Sequence, residues 1–128
     1  MKFVHEFRTI ANLIWVTIDV IEQTVRYLEN DGATAELLGV LAKDKEMLKA
    51  LYDSALEISD RDIDKQTSET LRITSLTTLS GILDEYSKTV DTTLHNMDLE
   101  HHDDILYFLG ITTKQSQTIK NEIGLASV

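Results

Sequence analysis

Residues 95–104 read HNMDLEHHDD and gather His95, His101 and His102 with Asp98, Glu100, Asp103 and Asp104, in a chain that has four histidines in all. Imidazoles beside carboxylates are the raw material of a metal site, of acid–base catalysis, or of a solvated helix start. The first two make demands on the rest of the chain. A carboxylate-bridged di-metal bundle needs a Glu-x-x-His pair on each of two helices, with two further inward glutamates. Asp98 and His101 imitate one such pair, and there is no second. A His-Asp phosphohydrolase built on His102 and Asp103 needs an aspartate well downstream, but the only carboxylate after Asp104 is Glu122. A phosphorelay histidine lies beside lysine and glycine, and His95 in TLHNMD has neither. The five glycines are scattered, so no phosphate-cradling loop occurs. SDRDID (59–64) offers Asp60, Asp62 and Asp64 to a cation, yet lacks the glycine and terminal glutamate of a calcium loop. Without cysteine there is no thiolate zinc site, disulfide or sulfur nucleophile. The expectation is a chain with no catalytic residue, no cofactor and no resident metal.

The plain reading of the segment is a helix start. Carboxylates in a first turn face the positive end of the helix dipole, an effect of ~0.3–1 kcal/mol each. Asp98 is the expected N-cap of the fourth helix. His102, three residues before Ile105 and seven before Leu109, is expected to point at the core, with His101, Asp103 and Asp104 turned away.

The elements that position this segment are helices. The chain has no proline, which permits long uninterrupted ones. Phe3, Phe7, Ile10, Ile14 and Ile21 recur at helical spacing in a first segment that ENDG (29–32) terminates. Leu37, Leu41, Leu48, Leu51, Ala55 and Ile58 form the stripe of a second. Asp44 falls on that stripe between Leu41 and Leu48, which leaves room for a break near 43–45. After a connection over 59–69, a third segment from about Ser68 to Met97 aligns Ile73, Leu76, Leu83, Tyr86, Val90 and Met97. They form a heptad-like seam whose other positions, Thr77, Ser80 and Gly81, are small and permit close helix approach. The fourth stripe, Ile105, Leu109, Thr112, Ser116, Ile119 and Ile123, is the most polar. Four such helices with short connections predict an all-α, up-down-up-down four-helix bundle, a single domain over 1–128 that buries roughly two-thirds of its unfolded surface.

Composition bounds the partners. Hydrophobic residues make up 42% and charged residues 27%, as in ordinary globular proteins. The start MKFVHEFRTI carries charges where a signal peptide has its apolar run. The longest apolar stretch, 10–21, falls short of the ~20 residues a membrane span requires. A cytoplasmic chain without a membrane segment is the expectation. The net charge is −10, from 12 basic and 22 acidic residues, which repels nucleic acid and attracts a basic protein.

That charge is uneven. An up-down-up-down bundle puts the first and third turns at one end. Glu29, Asp31 and Glu36 then join Asp98, Glu100, Asp103 and Asp104 in a patch that repels itself unless a basic partner covers it. Asp31, Asp98, Glu100, Asp103 and Asp104 are the predicted partner-binding residues. Helix 1 is also apolar nearly all round between Ile10 and Ile21. It is either central in the fold, or its flank of Leu13, Trp15, Val16 and Val20 serves homodimerisation or partner docking.

In size, acidity and helical build, the whole chain resembles the immunity proteins that bacteria keep against their own nuclease toxins, including those of contact-dependent growth inhibition and bacteriocin systems. The resemblance rests on whole-chain character, not on a motif. It implies a toxin-neutralising protein in the cytoplasm that binds a basic toxin domain one to one and blocks the surface gripping RNA or DNA. A different expectation is an export or assembly chaperone sheltering an amphipathic client segment, for which the helix 1 flank matters more. A third is a metal-dependent helical enzyme using His95, His101 and His102.

Overall fold

A computed structural model describes residues 4–127, and their side chains from 6 to 124; Phe3 of the first stripe lies outside this range. The helices are α1 (Val4–Asn30), α2 (Ala35–Ser59), α3 (Lys65–Asn96) and α4 (His102–Ser127), and the described residues contain no strand. Neighbouring helices run antiparallel. Trp15 meets Tyr52 and Glu22 meets Lys45 between α1 and α2; Ser116 meets Asp84 and Glu122 meets Arg72 between α4 and α3. The α1–α2 and α3–α4 hairpins are each closely packed, and the two meet more sparsely through α1 with α4 and α2 with α3. This is the expected up-down-up-down four-helix bundle.

Each boundary has a local cause. The end of α1 is closed by Gly32 N–H on the Glu29 carbonyl (3.2 Å) and Ala33 N–H on the Leu28 carbonyl (2.9 Å). That is the double bond of a Schellman ending, with Gly32 in the left-handed region at φ 83°. Thr34 caps α2 by accepting from Leu37 N–H (3.2 Å). Asp64 caps α3 by accepting from Thr67 N–H (2.7 Å), which places the start of α3 at Lys65 and shortens the expected 59–69 connection. Four α3 threonines, Thr70, Thr74, Thr89 and Thr93, donate to the carbonyl four residues back. Their hydroxyls are thereby satisfied inside the helix and do not compete with it.

The core is one continuous cluster that includes Phe7, Ile14, Ile21, Leu28, Leu41, Leu48, Leu79, Leu83, Tyr86, Val90 and Ile105. It accepts more polar groups than the stripes imply. Thr17, Thr24 and Thr112 are fully buried, and each hydroxyl donates to a carbonyl of its own helix, on Leu13, Val20 and Leu109. On the polar stripe of α4, Thr112 is thus satisfied within its own helix, and Ser116 donates to Asp84 Oδ1 on α3 (2.7 Å).

The structure decides between two alternatives in α2 and corrects the seam of α3. Helix α2 runs through 43–45 without a break, and Asp44 stays on the buried face, 3% exposed. In α3, Ser80 is buried but Thr77 and Gly81 face solvent, with Leu79 and Ile82 buried instead. An uninterrupted helix turns 3.6 residues per turn, so a seven-residue seam drifts by ~20° per heptad and cannot hold over 32 residues.

Candidate functional site

The α1–α2 and α3–α4 turns meet at one end of the bundle, and a single side chain joins them. Asp31 follows directly on α1, and its carboxylate is turned inward, 1% exposed. One oxygen accepts the His101 backbone N–H (2.9 Å) and the other lies 2.7 Å from His101 Nδ1. The imidazole, 30% exposed, packs against Tyr27 at a tilt of 36° with ring centres 4.9 Å apart, and Tyr27 in turn packs toward Phe108 (6.1 Å). Burial pushes the Asp31 carboxyl up, but the backbone bond, the side-chain bond and the charge of His101 together outweigh it and hold it below the usual range. His101 is held above the usual histidine range, chiefly by its bond to Asp31. Burial opposes this, and the charges of Asp31, Glu100 and Asp104 reinforce it.

This arrangement replaces the expected start of α4. The helix begins at His102, so Asp98 lies outside it and is not its N-cap; only Asp103 and Asp104 occupy its first turn. An anion does sit at the N-terminus, but it arrives from the other hairpin, as Asp31. The histidine roles change with the boundary. His101 turns in toward Asp31 and Tyr27, while His102 is 45% exposed beside Asp103. His95 is exposed, with Nδ1 2.8 Å from the Asp91 carbonyl of its own helix.

The other predicted acids form the outer surface of this end. Asp98, Glu100, Asp103 and Asp104 are exposed, as are Glu29 and Glu36 from the first turn. Among the described residues, none of these six forms an ion pair with lysine or arginine. Asp31 does not share that surface, because His101 occupies both of its oxygens.

The predicted apolar flank of α1 does not stay together. Val20 is buried. Trp15, 59% exposed, leans on Tyr52 on the α2 side, with ring centres 5.4 Å apart. Leu13 instead lines a groove of about 330 Å³ between α1 and α4, opposite Ile111 and Ile119, with Lys114, Gln115 and Glu122 at its edges. Val16, one turn along from Leu13, is 51% exposed.

Sequence patterning did not single out the clamp or the polar groups beneath it. Asp44 Oδ2 and the Tyr86 hydroxyl are buried without a hydrogen-bond partner among the described residues. Burial, reinforced by the charge of Glu85 and only partly offset by Lys43, pushes the Asp44 carboxyl up to about 6. Burial also pushes the Tyr86 phenol up to about 12. A carboxylate on a leucine stripe was the available signal for this pair. For Tyr27 and His101 there was none, since only the tertiary fold brings them together.

No family model, curated protein or solved structure matches this chain.

Proposed function

We propose that this chain is a non-catalytic inhibitor of the immunity type, which captures a basic, nuclease-like toxin domain in the cytoplasm and covers the surface that would hold nucleic acid. The observation that carries this reading is the exposed set Asp98, Glu100, Asp103 and Asp104, with Glu29 and Glu36 beside it and, among the described residues, no lysine or arginine paired to any of them. Like charges gathered on one end repel one another and destabilise the fold, an effect that a cationic partner reverses on binding. The Asp31–His101 clamp supports the reading from below, because it holds both acidic turns in one arrangement before any partner arrives. Preorganisation of that kind reduces the ordering cost of association. Field-steered encounter should make capture fast and sensitive to salt.

The test is capture from the native host with the tagged chain, stepped salt washes, and mass spectrometry of what remains. A single basic partner is expected in a one-to-one complex. Replacing Asp98 and Glu100 by lysine should then slow association by tenfold or more in stopped-flow at low salt, with a smaller effect on dissociation. Unchanged association kinetics in that variant would remove the reading.

The α1–α4 groove favours a second reading, in which the chain shelters an amphipathic client helix against Leu13, Ile111 and Ile119. Capture of a helical client that persists at 1 M salt, where screening acts over roughly 3 Å, and fails in Leu13→Asp would select it.

A further inference from the structure

We infer that the junction of the two turns binds one divalent transition-metal ion of the zinc class, with Asp31, Glu100 and His101 as its protein ligands. Among the described residues this is the one set of three or more histidine and carboxylate side chains whose ligand atoms converge, all within 4.8 Å of one another. The inference does not depend on the proposed function.

The chemistry of the donors selects the ion. Calcium and magnesium take oxygen ligands, whereas an imidazole nitrogen with two carboxylates suits zinc, cobalt or nickel. Two ligand atoms on one tetrahedral zinc at ~2.0–2.1 Å stand roughly 3.3 Å apart. His101 Nδ1 and Asp31 Oδ1 are 2.7 Å apart, so exchanging the proton between them for an ion requires an opening of about 0.6 Å. Side-chain rotation supplies that, while Asp31 Oδ2 keeps the His101 backbone N–H. The displaced proton leaves to solvent. Glu100, adjacent to His101 and exposed, closes from the outside, and water completes the coordination.

The acidity of the bundle end is not what distinguishes these three residues, since Asp98, Asp103 and Asp104 belong to no such set. The surroundings add two features that those acids lack. Asp31 is already withdrawn from water, which removes part of the desolvation that a ligand must undergo. Tyr27, packed against the imidazole, limits the ring's freedom and so lowers the cost of ordering it. The ligands also come from both turns, so the ion would tie together two hairpins that otherwise meet sparsely.

The test is calorimetric titration of zinc chloride into the untagged full chain at pH 7.5, with thermal melts alongside. One saturable site with micromolar affinity is expected, and a melting temperature that climbs with added zinc; magnesium chloride should do neither. His101→Gln and Glu100→Gln should each weaken zinc binding tenfold or more, while His95→Gln and His102→Gln should leave it unchanged. Glu100 is exposed, so its variant carries the test if circular dichroism shows His101→Gln to be misfolded. Three results would each overturn the inference: no saturation below millimolar zinc, a wild-type isotherm in folded His101→Gln or in Glu100→Gln, or loss of binding in His95→Gln or His102→Gln.

Discussion

Asp31 grips His101 twice, through the backbone N–H at 2.9 Å and through the ring Nδ1 at 2.7 Å, across seventy positions of sequence. The first bond satisfies a donor at the α4 N-terminus and the second brings a titratable ring into the same contact. One of the two bonds across the hairpins is therefore made by a ring that titrates.

The pH response follows from the two shifts. The raised His101 pKa gives a stabilisation that is complete below the unfolded value of about 6.5 and is lost as pH rises through the folded value. The lowered Asp31 pKa gives one present above the ordinary carboxylate value and lost as pH falls through the folded value. In metal-free protein, the advantage in melting temperature of wild type over His101→Gln should be greatest near pH 5–6 and should narrow steadily toward pH 9. A difference that stays flat from pH 6 to 9 would separate the ring from the stability of the bundle.

Asp44 has the opposite sign from an ordinary paired carboxylate. Its folded pKa, about 6, lies above the ordinary aspartate value of 3.8, so the folded state binds the proton more tightly and loses stability as pH rises between the two. The effect at neutral pH is on the order of 2–3 kcal/mol. Asp44→Leu joins Leu41 and Leu48 on the buried stripe and should be more stable than wild type at pH 7.5 in urea melts. Its advantage should shrink at pH 4. A less stable Asp44→Leu at neutral pH would mean that the carboxylate is hydrogen-bonded in solution.

Tyr86→Phe makes a sharper comparison with the same pocket. Removing one partner of a good buried hydrogen bond costs about 1–3 kcal/mol, whereas removing an unpartnered hydroxyl costs little. Among the described residues the Tyr86 hydroxyl makes no hydrogen bond of ordinary geometry, and the neighbouring Thr24 hydroxyl already donates to the Val20 carbonyl, so the variant should melt within a degree or two of wild type or above it. A large drop would show that the hydroxyl is bonded.

Gly32 tests the α1 ending. At φ 83° an added Cβ costs about 1–2 kcal/mol even though the space around it is open. Gly32→Ala should lower the melting temperature by several degrees, and Gly32→Asn by less, because asparagine tolerates the left-handed region. Equal losses in the two variants would place the cause elsewhere than in the backbone angle.

Asp103 and Asp104 differ from Asp98 and Glu100 in what they do for the fold. The first two lie in the opening turn of α4, where replacing either by lysine should cost roughly 0.3–1 kcal/mol. Lysine at 98 or 100 should instead relieve repulsion and leave the melting temperature unchanged or raised. Thermal melts of the four single variants, each without partner, read this directly.

The helices could be read from the sequence because their causes are local. ENDG contains the Schellman glycine, and the leucine stripe of α2 survives its one aspartate. Burying a carboxylate is costly, which is why the sequence alone leaves a break there open. A break costs more, since it would forfeit several backbone bonds and the flanking leucine contacts together. The start of α4 could not be read locally at all. Its anion comes from Asp31 in the other hairpin, and moving the boundary from 98 to 102 rotates the neighbouring histidines, so that His101 and not His102 turns inward. Thr77 and Gly81 fall off the buried face because a heptad repeat does not follow a straight 3.6-residue helix.

The topology also sets the polarity of the molecule as an object. With both hairpin turns at the acidic pole, α1 begins and α4 finishes at the other, near where Arg8 lies beside Asp60. A helix of 27 residues separates the poles by about 40 Å. A label, surface or fused domain attached beyond either terminal helix thus stands a full molecular length from the carboxylates, and every immobilised copy faces them outward.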